Sequence, residues 1–254
     1  MLSKITPLIL TYNEEPNIER TLARLTWADR IVVVDSFSAD GTADILKRFP
    51  RVEVLQRRFD DHTSQWNFGL DQIRTEWVLT LDADYALTEE LIEEMKALTP
   101  DGVDAFLASF KYSVFGIRLR ASLYPPRPVL FRTRRCRYYQ DGHTQKLKMS
   151  GTPGRLSAFI EHDDRKPLFH WLAAQDRYAL LEVEKLAAAG SKDLPLQDRL
   201  RKMILPAPFL VFFYTLLIKG MLWEGWPGWY YVFQRTVAEM VLSLRLIEAK
   251  LKID

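Results

Sequence analysis

The sequence predicts an α/β protein: a mostly parallel sheet flanked by helices, followed by a C-terminal amphipathic helical extension. Three observations predict it. Short apolar runs alternate with helix-length amphipathic segments through the first hundred residues, the pattern of crossover-linked parallel strands covered on both faces. Three of those runs end in polar or acidic clusters, at Thr11–Glu15, Asp35–Asp40 and Asp82–Asp84, where open parallel sheets bind ligands. Beyond residue 203 the chain changes character, with only Lys219 and Glu224 charged across residues 203–234.

The elements follow in order. Ile5–Thr11 reads as the first strand and Asn17–Leu25 as the helix behind it. Ile31–Val34 is the second strand, ending at Asp35, and Ser38-Ala-Asp-Gly-Thr42 turns into a helix over 42–48. Val52–Leu55 is the third strand, Ser64–Ile73 a helix and Trp77–Leu81 the fourth strand. Helix 88–97 starts behind Thr88, whose hydroxyl can cap the amides near Glu90 and Leu91. After residue 100 the alternation loosens. Ala105–Phe110, Pro128–Phe131 and Leu156–Glu161 read as strands, and the connection through Tyr124-Pro-Pro-Arg-Pro128 as a substrate-facing loop. A helix over 168–189 is stopped by Gly190. The organisation is therefore residues 1–98, 99–190 and 191–254.

Composition sets the outer limits. A chain of 254 residues, 48% of them apolar, builds one large domain, or one of about 200 residues with an appendage, and excludes general disorder. A formal charge of +2 gives no ground for nucleic acid as a partner. Residues 127–148 carry Arg127, Arg132, Arg134, Arg135, Arg137, Lys146 and Lys148 against Asp141 alone, a patch for phosphates or an anionic membrane, or a solvated basic surface. The single cysteine, Cys136, excludes an internal disulfide framework and a cysteine-rich metal site; it reads as incidental. The first apolar run is shorter than a signal-peptide core, so the protein is expected in the cytoplasm or on the cytoplasmic membrane face. No glycine-rich phosphate loop follows a strand, which removes support for ATP and dinucleotide cofactors.

Trp77-Val-Leu-Thr-Leu-Asp82-Ala-Asp84 is the most specific stretch. Residues i and i+2 of a strand point the same way, so Asp82 and Asp84 can converge on one divalent cation that carries a phosphate. The tail is the second distinctive region. Residues 203–234 hold Trp223, Trp226 and Trp229 with Tyr214, Tyr230 and Tyr231, and the uncharged Met203–Ile218 is broken by Pro206 and Pro208. That is short of the about 20 residues of a span. With Arg199, Arg201 and Lys202 before it, a segment lying in one leaflet is expected, ahead of a span or of packing on the core. In the next helix, about 232–250, Val237, Met240, Val241, Leu244 and Ile247 fall at helical spacing, a face expected to lie back on the protein.

Leu10-Thr-Tyr-Asn-Glu-Glu15, the run from Val32 through Asp35 to Thr42, and Leu81-Asp-Ala-Asp84 together resemble the family 2 glycosyltransferases of the GT-A fold, nearest to the bacterial branch that adds sugars to the lipopolysaccharide core. The likeness is strong over residues 4–98. It continues weakly through Gln65-Trp-Asn67, Asp141-Gly-His143, His162, Trp171–Tyr178 and Lys219-Gly220. By that resemblance residues 1–98 bind the nucleotide-sugar, 99–190 bind the acceptor and carry the catalytic base, and 191–254 associate with membrane or form an interface. Thr11, Tyr12, Asn13, Glu14, Asp35 and Asn67 would hold the nucleotide. Asp82 and Ala83 would support the sugar or ribose, and Asp84 and His162 would ligate Mg²⁺ or Mn²⁺. Arg165 or Arg177 would counter the leaving diphosphate. The reaction implied is an inverting, in-line displacement at C1 by an acceptor hydroxyl. Thr144 stands where related enzymes carry a glutamate, so Asp141 is the expected base, with Glu161 and Asp163 as competitors and His143 orienting it. The implied partners are a nucleotide-diphospho-sugar donor, a lipid-linked or lipopolysaccharide acceptor and an anionic membrane surface, with the protein peripheral on the cytoplasmic face of the inner membrane. Two rivals differ in class. A nucleotidyltransferase making a nucleotide-sugar would want a glycine-rich, lysine-bearing loop after the first strand, and a non-catalytic membrane adaptor would leave the paired carboxylates without purpose.

Overall fold

The computed structural model describes residues 1–141, 144–188 and 194–252. It divides into two compact units: residues 1–116, 124–140 and 145–165, and residues 117–123, 141–144 and 166–254.

In the first unit β1 (Ile5–Thr11), α1 (Ile18–Ala23), β2 (Ile31–Asp35), α2 (Thr42–Lys47), β3 (Val52–Gln56), α3 (His62–Asp71), β4 (Trp77–Asp82), β5 (Tyr85–Leu87) and α4 (Glu89–Ala97) follow in turn. After β6 (Ala105–Val114) and the short β7 (Ile117–Arg118, counted in the second unit) come β8 (Arg127–Arg132), β9 (Arg137–Asp141), β10 (Thr144–Lys148) and β11 (Gly154–His162). The main sheet runs β3-β2-β1-β4-β8-β6-β11-β5, and β9 and β10 form a separate pair. β3, β2, β1 and β4 are parallel, as the alternation predicted. β8 then enters antiparallel between β4 and β6, and β5 antiparallel to β11, so the whole sheet is mixed. Strands from both sides of residue 98 share this one sheet.

The continuous apolar runs are explained by burial on both faces. Ile5, Ile9, Val33, Leu79 and Leu81 pack towards Ile18 and Leu22 of α1 and Leu91 and Met95 of α4. Leu8, Val32, Val34 and Val78 pack towards Trp66 and Leu70 of α3. Thr88 caps α4 as expected, its Oγ1 accepting from the Leu91 amide at 3.2 Å. α3 begins earlier than Ser64, because Asp61 takes the cap and accepts from the Ser64 amide at 2.8 Å.

The second unit contains α5 (Leu168–Ala188), α6 (Leu196–Lys202), α7 (Pro206–Phe213) and α8 (Gly225–Leu251), with a π-helical turn at Tyr214–Ile218 and a 3₁₀ turn at Met221–Glu224. The stop expected at Gly190 lies outside the described residues. No single helix here is long and apolar enough to cross a membrane; Pro206–Ile218 and Met221–Leu251 meet that test only as a pair bent by 67°. One expectation is corrected. α8 packs through Tyr231, Val232, Gln234, Glu239 and Leu242, whereas Met240 and Leu244 are 51% and 65% exposed. The expected stripe is split: Val241 packs on the helical core and Val237 is half-buried, while Met240, Leu244 and Ile247 face outward. Polar groups share the inward face, where Glu239 receives Arg201 Nε at 3.1 Å and Arg201 and Lys185 both pair with Asp198.

Candidate active site

The parallel register sets the site. Thr11 lies beside Asp35 and Leu10 beside Asp82, so β2, β1 and β4 end level with their polar residues together. Asp35 is buried. Its carboxylate accepts from Thr11 Oγ1 at 3.1 Å, Ser38 Oγ at 2.5 Å and the Ser38 amide at 3.1 Å.

The loops after β1 and β2 are clasped to each other. Asn13 Oδ1 accepts from the Ala39 amide at 2.8 Å, and Ser38 Oγ accepts from the Asn13 amide at 2.9 Å. Thr42 Oγ1 receives the Glu14 amide at 2.8 Å. Asp40 accepts from the Glu15 amide and from both the amide and hydroxyl of Thr42. Burial works against the Asp40 carboxylate, but the bonds from Thr42 and Glu15 outweigh it and hold its pKa below the usual value. Asn13 and Phe37 adopt left-handed backbone, with φ of 53° and 62°. That is inexpensive for asparagine and costly for phenylalanine. The strained residue is the Phe37 ring, and it stands exposed beside Asp35, as Tyr12 does after Thr11.

Antiparallel pairing places the acids. β5 runs against β11 with Tyr85 opposite His162, and the Asp163 amide donates to the Asp84 carbonyl at 3.2 Å. Asp84 Oδ2 and His162 Nε2 are consequently 3.1 Å apart. Two ligands at right angles on one divalent cation stand about 3 Å apart, and a carboxylate with an imidazole suits such an ion. The His162 ring lies among Tyr85, Tyr112 and Tyr124, with centroids at 4.8–5.0 Å, and its Nδ1 is buried without a hydrogen-bond partner. The pair fits a divalent cation as two of its ligands. Among the described residues no group of three or more His, Cys, Asp or Glu forms a complete site.

The remaining expected residues are placed as follows. The carbonyl of Ala83 accepts from Thr21 Oγ1 at 2.7 Å, so this residue ties α1 beneath the two acids. Asn67 uses both ends of its amide on the backbone of Tyr138, at 3.0 and 3.1 Å, and thereby holds β9. Glu14 is buried and receives Asn17 Nδ2 at 2.9 Å. Arg165 donates through Nε to Asp163 at 2.8 Å. Asp163 is buried and also takes Arg20 and the Gly116 amide; doubly paired with arginine, it is removed as a competitor for the base. Glu161 precedes His162 on β11 and so points to the opposite face of the sheet. Asp141 and Arg177 belong to the second unit, where Asp141 Oδ1 stands 3.7 Å from Lys185 Nζ. His143, expected to orient it, lies outside the described residues.

Sequence reasoning missed Phe37 and Arg20 as members of this cluster, and read Tyr124 and Arg127 only as part of a substrate-facing connection. Arg20 donates to Asp163 and Asn17, whose other amide group reaches Asp164. The signal for Arg20 is spatial: its partner Asp163 lies 143 residues away in sequence.

A model of glycosyl transferase family 2 matches residues 8–162. The lipopolysaccharide core biosynthesis glycosyltransferase LpsC of Rhizobium meliloti is 22% identical over 235 residues, 87% of this chain and 83% of that protein. An uncharacterized glycosyltransferase of Rickettsia prowazekii is 31% identical over 109 residues, 42% of this chain and 37% of that protein; the chain spans about a third of the length of the Rickettsia relatives it matches. Among solved structures, the mannosyltransferase PcManGT of Pyrobaculum calidifontis in complex with GDP-Man and Mn²⁺ superposes with a TM-score of 0.57 at 16% identity, covering 97% of this chain and 88% of that one. S. aureus TarS 1–349 gives 0.50 at 15% identity, covering 92% and 90%. At those identities the likeness establishes the fold, which is GT-A.

Proposed function

We propose that this chain, which belongs to glycosyl transferase family 2, is an inverting, metal-dependent transferase that moves a sugar from a nucleotide-diphospho-sugar to a hydroxyl of a membrane-associated glycolipid, lipopolysaccharide core being the favoured acceptor class. The observation that carries the reading is Asp84 facing His162 at 3.1 Å at the carboxyl end of the sheet, beside the clasped loops that present Thr11, Asn13 and Asp35. Asp84 and His162 would hold Mg²⁺ or Mn²⁺, which supplies positive charge to the departing diphosphate. Thr11–Glu14 and Asp35 bind the nucleoside, and Asp82 accepts hydroxyls of the sugar or ribose. Asp141 takes the acceptor proton as its oxygen attacks C1. The relative LpsC acts in lipopolysaccharide core biosynthesis, and PcManGT and TarS have been crystallised with GDP-Man and UDP-GlcNAc; these support the donor class and the envelope acceptor.

The second unit supports a peripheral position on the cytoplasmic face of the inner membrane. Trp223 and Trp226 are 79% and 85% exposed, and Leu205, Phe209, Leu217 and Ile218 are also bare, more apolar surface than a lone solvated face carries.

The test is a donor screen with UDP-, GDP- and ADP-linked sugars, Mn²⁺ and detergent-dispersed lipid acceptors. Transfer with inversion from one donor is the expected result. Absence of both transfer and donor hydrolysis across the panel would overturn the reading.

A further inference from the structure

Among the described residues, Arg127 has a carboxylate in the surroundings of its side chain but no direct hydrogen bond or ion pair. It opens β8, which runs antiparallel to β4 with Trp77 opposite Arg132 and Leu79 opposite Leu130. Thr80 Oγ1 donates to the Val129 carbonyl at 3.3 Å, the β8 register shifts between Leu130 and Pro128 against β6, and Asp82 lies near enough to act on the charge of Arg127. The guanidinium lies over the Tyr124 ring, 4.4 Å from its centroid, and Tyr124 is hydrogen-bonded to Tyr85. Other arginines of the unit are engaged: Arg20 and Arg165 by Asp163, Arg57 by Asp60 and Gln65. Arg127 is half-buried, yet among the described residues it makes no hydrogen bond or salt bridge beyond that stacking contact.

Such a group is costly to keep. Partial removal from water penalises a charge that lacks a partner, and guanidinium does not escape by losing its proton. Burial works against the charge of Arg127, but Tyr124, Tyr85 and Asp82 outweigh it and raise its pKa. Stacking fixes the plane of the fork and leaves its N–H edge available, the geometry that grips a phosphate through two parallel bonds. Of the two arginines that the family resemblance implies for this task, Arg165 donates through Nε to Asp163 and Arg177 belongs to the second unit; Arg127 is a further candidate beside them.

We propose that Arg127 receives an oxyanion of the donor's diphosphate, at the same strand ends as Asp84 and His162. The inference rests on the transferase reading above and assigns one of its contacts.

The experiment is calorimetric titration of wild type, Arg127→Gln and Arg127→Lys with the nucleoside diphosphate that wild type binds, its monophosphate and the nucleoside, each with Mn²⁺, beside thermal unfolding. Expected is a loss of about tenfold or more in diphosphate affinity for Arg127→Gln, an intermediate loss for Arg127→Lys, unchanged nucleoside affinity, and a midpoint equal to or above wild type. Wild-type diphosphate affinity in Arg127→Gln would overturn the proposal. So would an equal loss for the nucleoside, or a lowered midpoint with it, which would make Arg127 structural. An effect confined to the KM for acceptor would assign the oxyanion to the acceptor instead. Failure of wild type itself to bind any nucleoside diphosphate would end the transferase reading and this assignment together, and is told apart because no variant is involved.

Discussion

Asp141 is held by Lys185 at 3.7 Å, and Lys185 also pairs with Glu182 and Asp198. Burial lowers the tendency of Lys185 to stay charged, but those three carboxylates overcome it and raise its pKa. The ammonium thus stands as a fixed positive charge beside the Asp141 carboxylate. Asp141→Asn is therefore expected to lower kcat by roughly 10²–10⁴-fold while the Kd for nucleoside diphosphate stays at the wild-type value; undiminished transfer would remove Asp141 from the role. Individual residues were readable from sequence where chemistry is local. Asp82 and Asp84 were picked out by their spacing, but the expected common strand is corrected: β4 ends at Asp82, and Asp84 lies in the turn before β5, placed by the β5–β11 pairing. Cys136 was readable too: it is buried, and burial with Asp104 nearby pushes its thiol up to about 11, the mark of an inert cysteine. Arg127 was visible only as one member of a basic run and of a substrate-facing connection, since its individual meaning depends on stacking against Tyr124.

At the scale of elements, the loops after β1 and β2 act as one unit because Asp40 holds both. Its folded pKa is depressed, so its contribution is present above the unfolded value near 4 and fades as pH falls through the lower folded value. Asp40→Asn is expected to cost about 1 kcal/mol at pH 7, and the difference in thermal midpoint from wild type should shrink below pH 4. A difference that persists unchanged at pH 3 would contradict the clasp. The strands β1, β2 and β4 were legible because burial on both faces makes continuous apolar runs such as Ile31–Val34, and the exposed edge strand β3 by its short run of β-formers, Val52–Leu55. β5 is three residues long, and β9 reads Arg-Tyr-Tyr-Gln-Asp. Neither offers a periodic signal, because cross-strand pairing rather than its own pattern makes it a strand. The outward stripe of α8 misled for a related reason: periodicity locates an apolar face without saying what covers it.

At the scale of the whole molecule, the α/β class was readable from three strand ends and their order and the GT-A fold from the resemblance of the motifs at those ends, while the division into two units was not, because Ile117–Leu123 joins the helical unit across a long sequence distance. The bare Trp223 and Trp226 argue for binding to vesicles that contain anionic lipid, weakening as salt rises. Trp223→Ser with Trp226→Ser should release the protein from such vesicles without lowering its thermal midpoint; unaltered co-sedimentation would refute the membrane role. The central claim is narrower, that Asp84 and His162 grip one cation together with a diphosphate. Electron paramagnetic resonance of Mn²⁺ titrated with protein, with and without nucleoside diphosphate, tests it most directly. The account predicts Mn²⁺ bound tightly only when the diphosphate is present, and a loss of at least about tenfold in both Asp84→Ala and His162→Ala. Mn²⁺ affinity in those variants equal to wild type would contradict it.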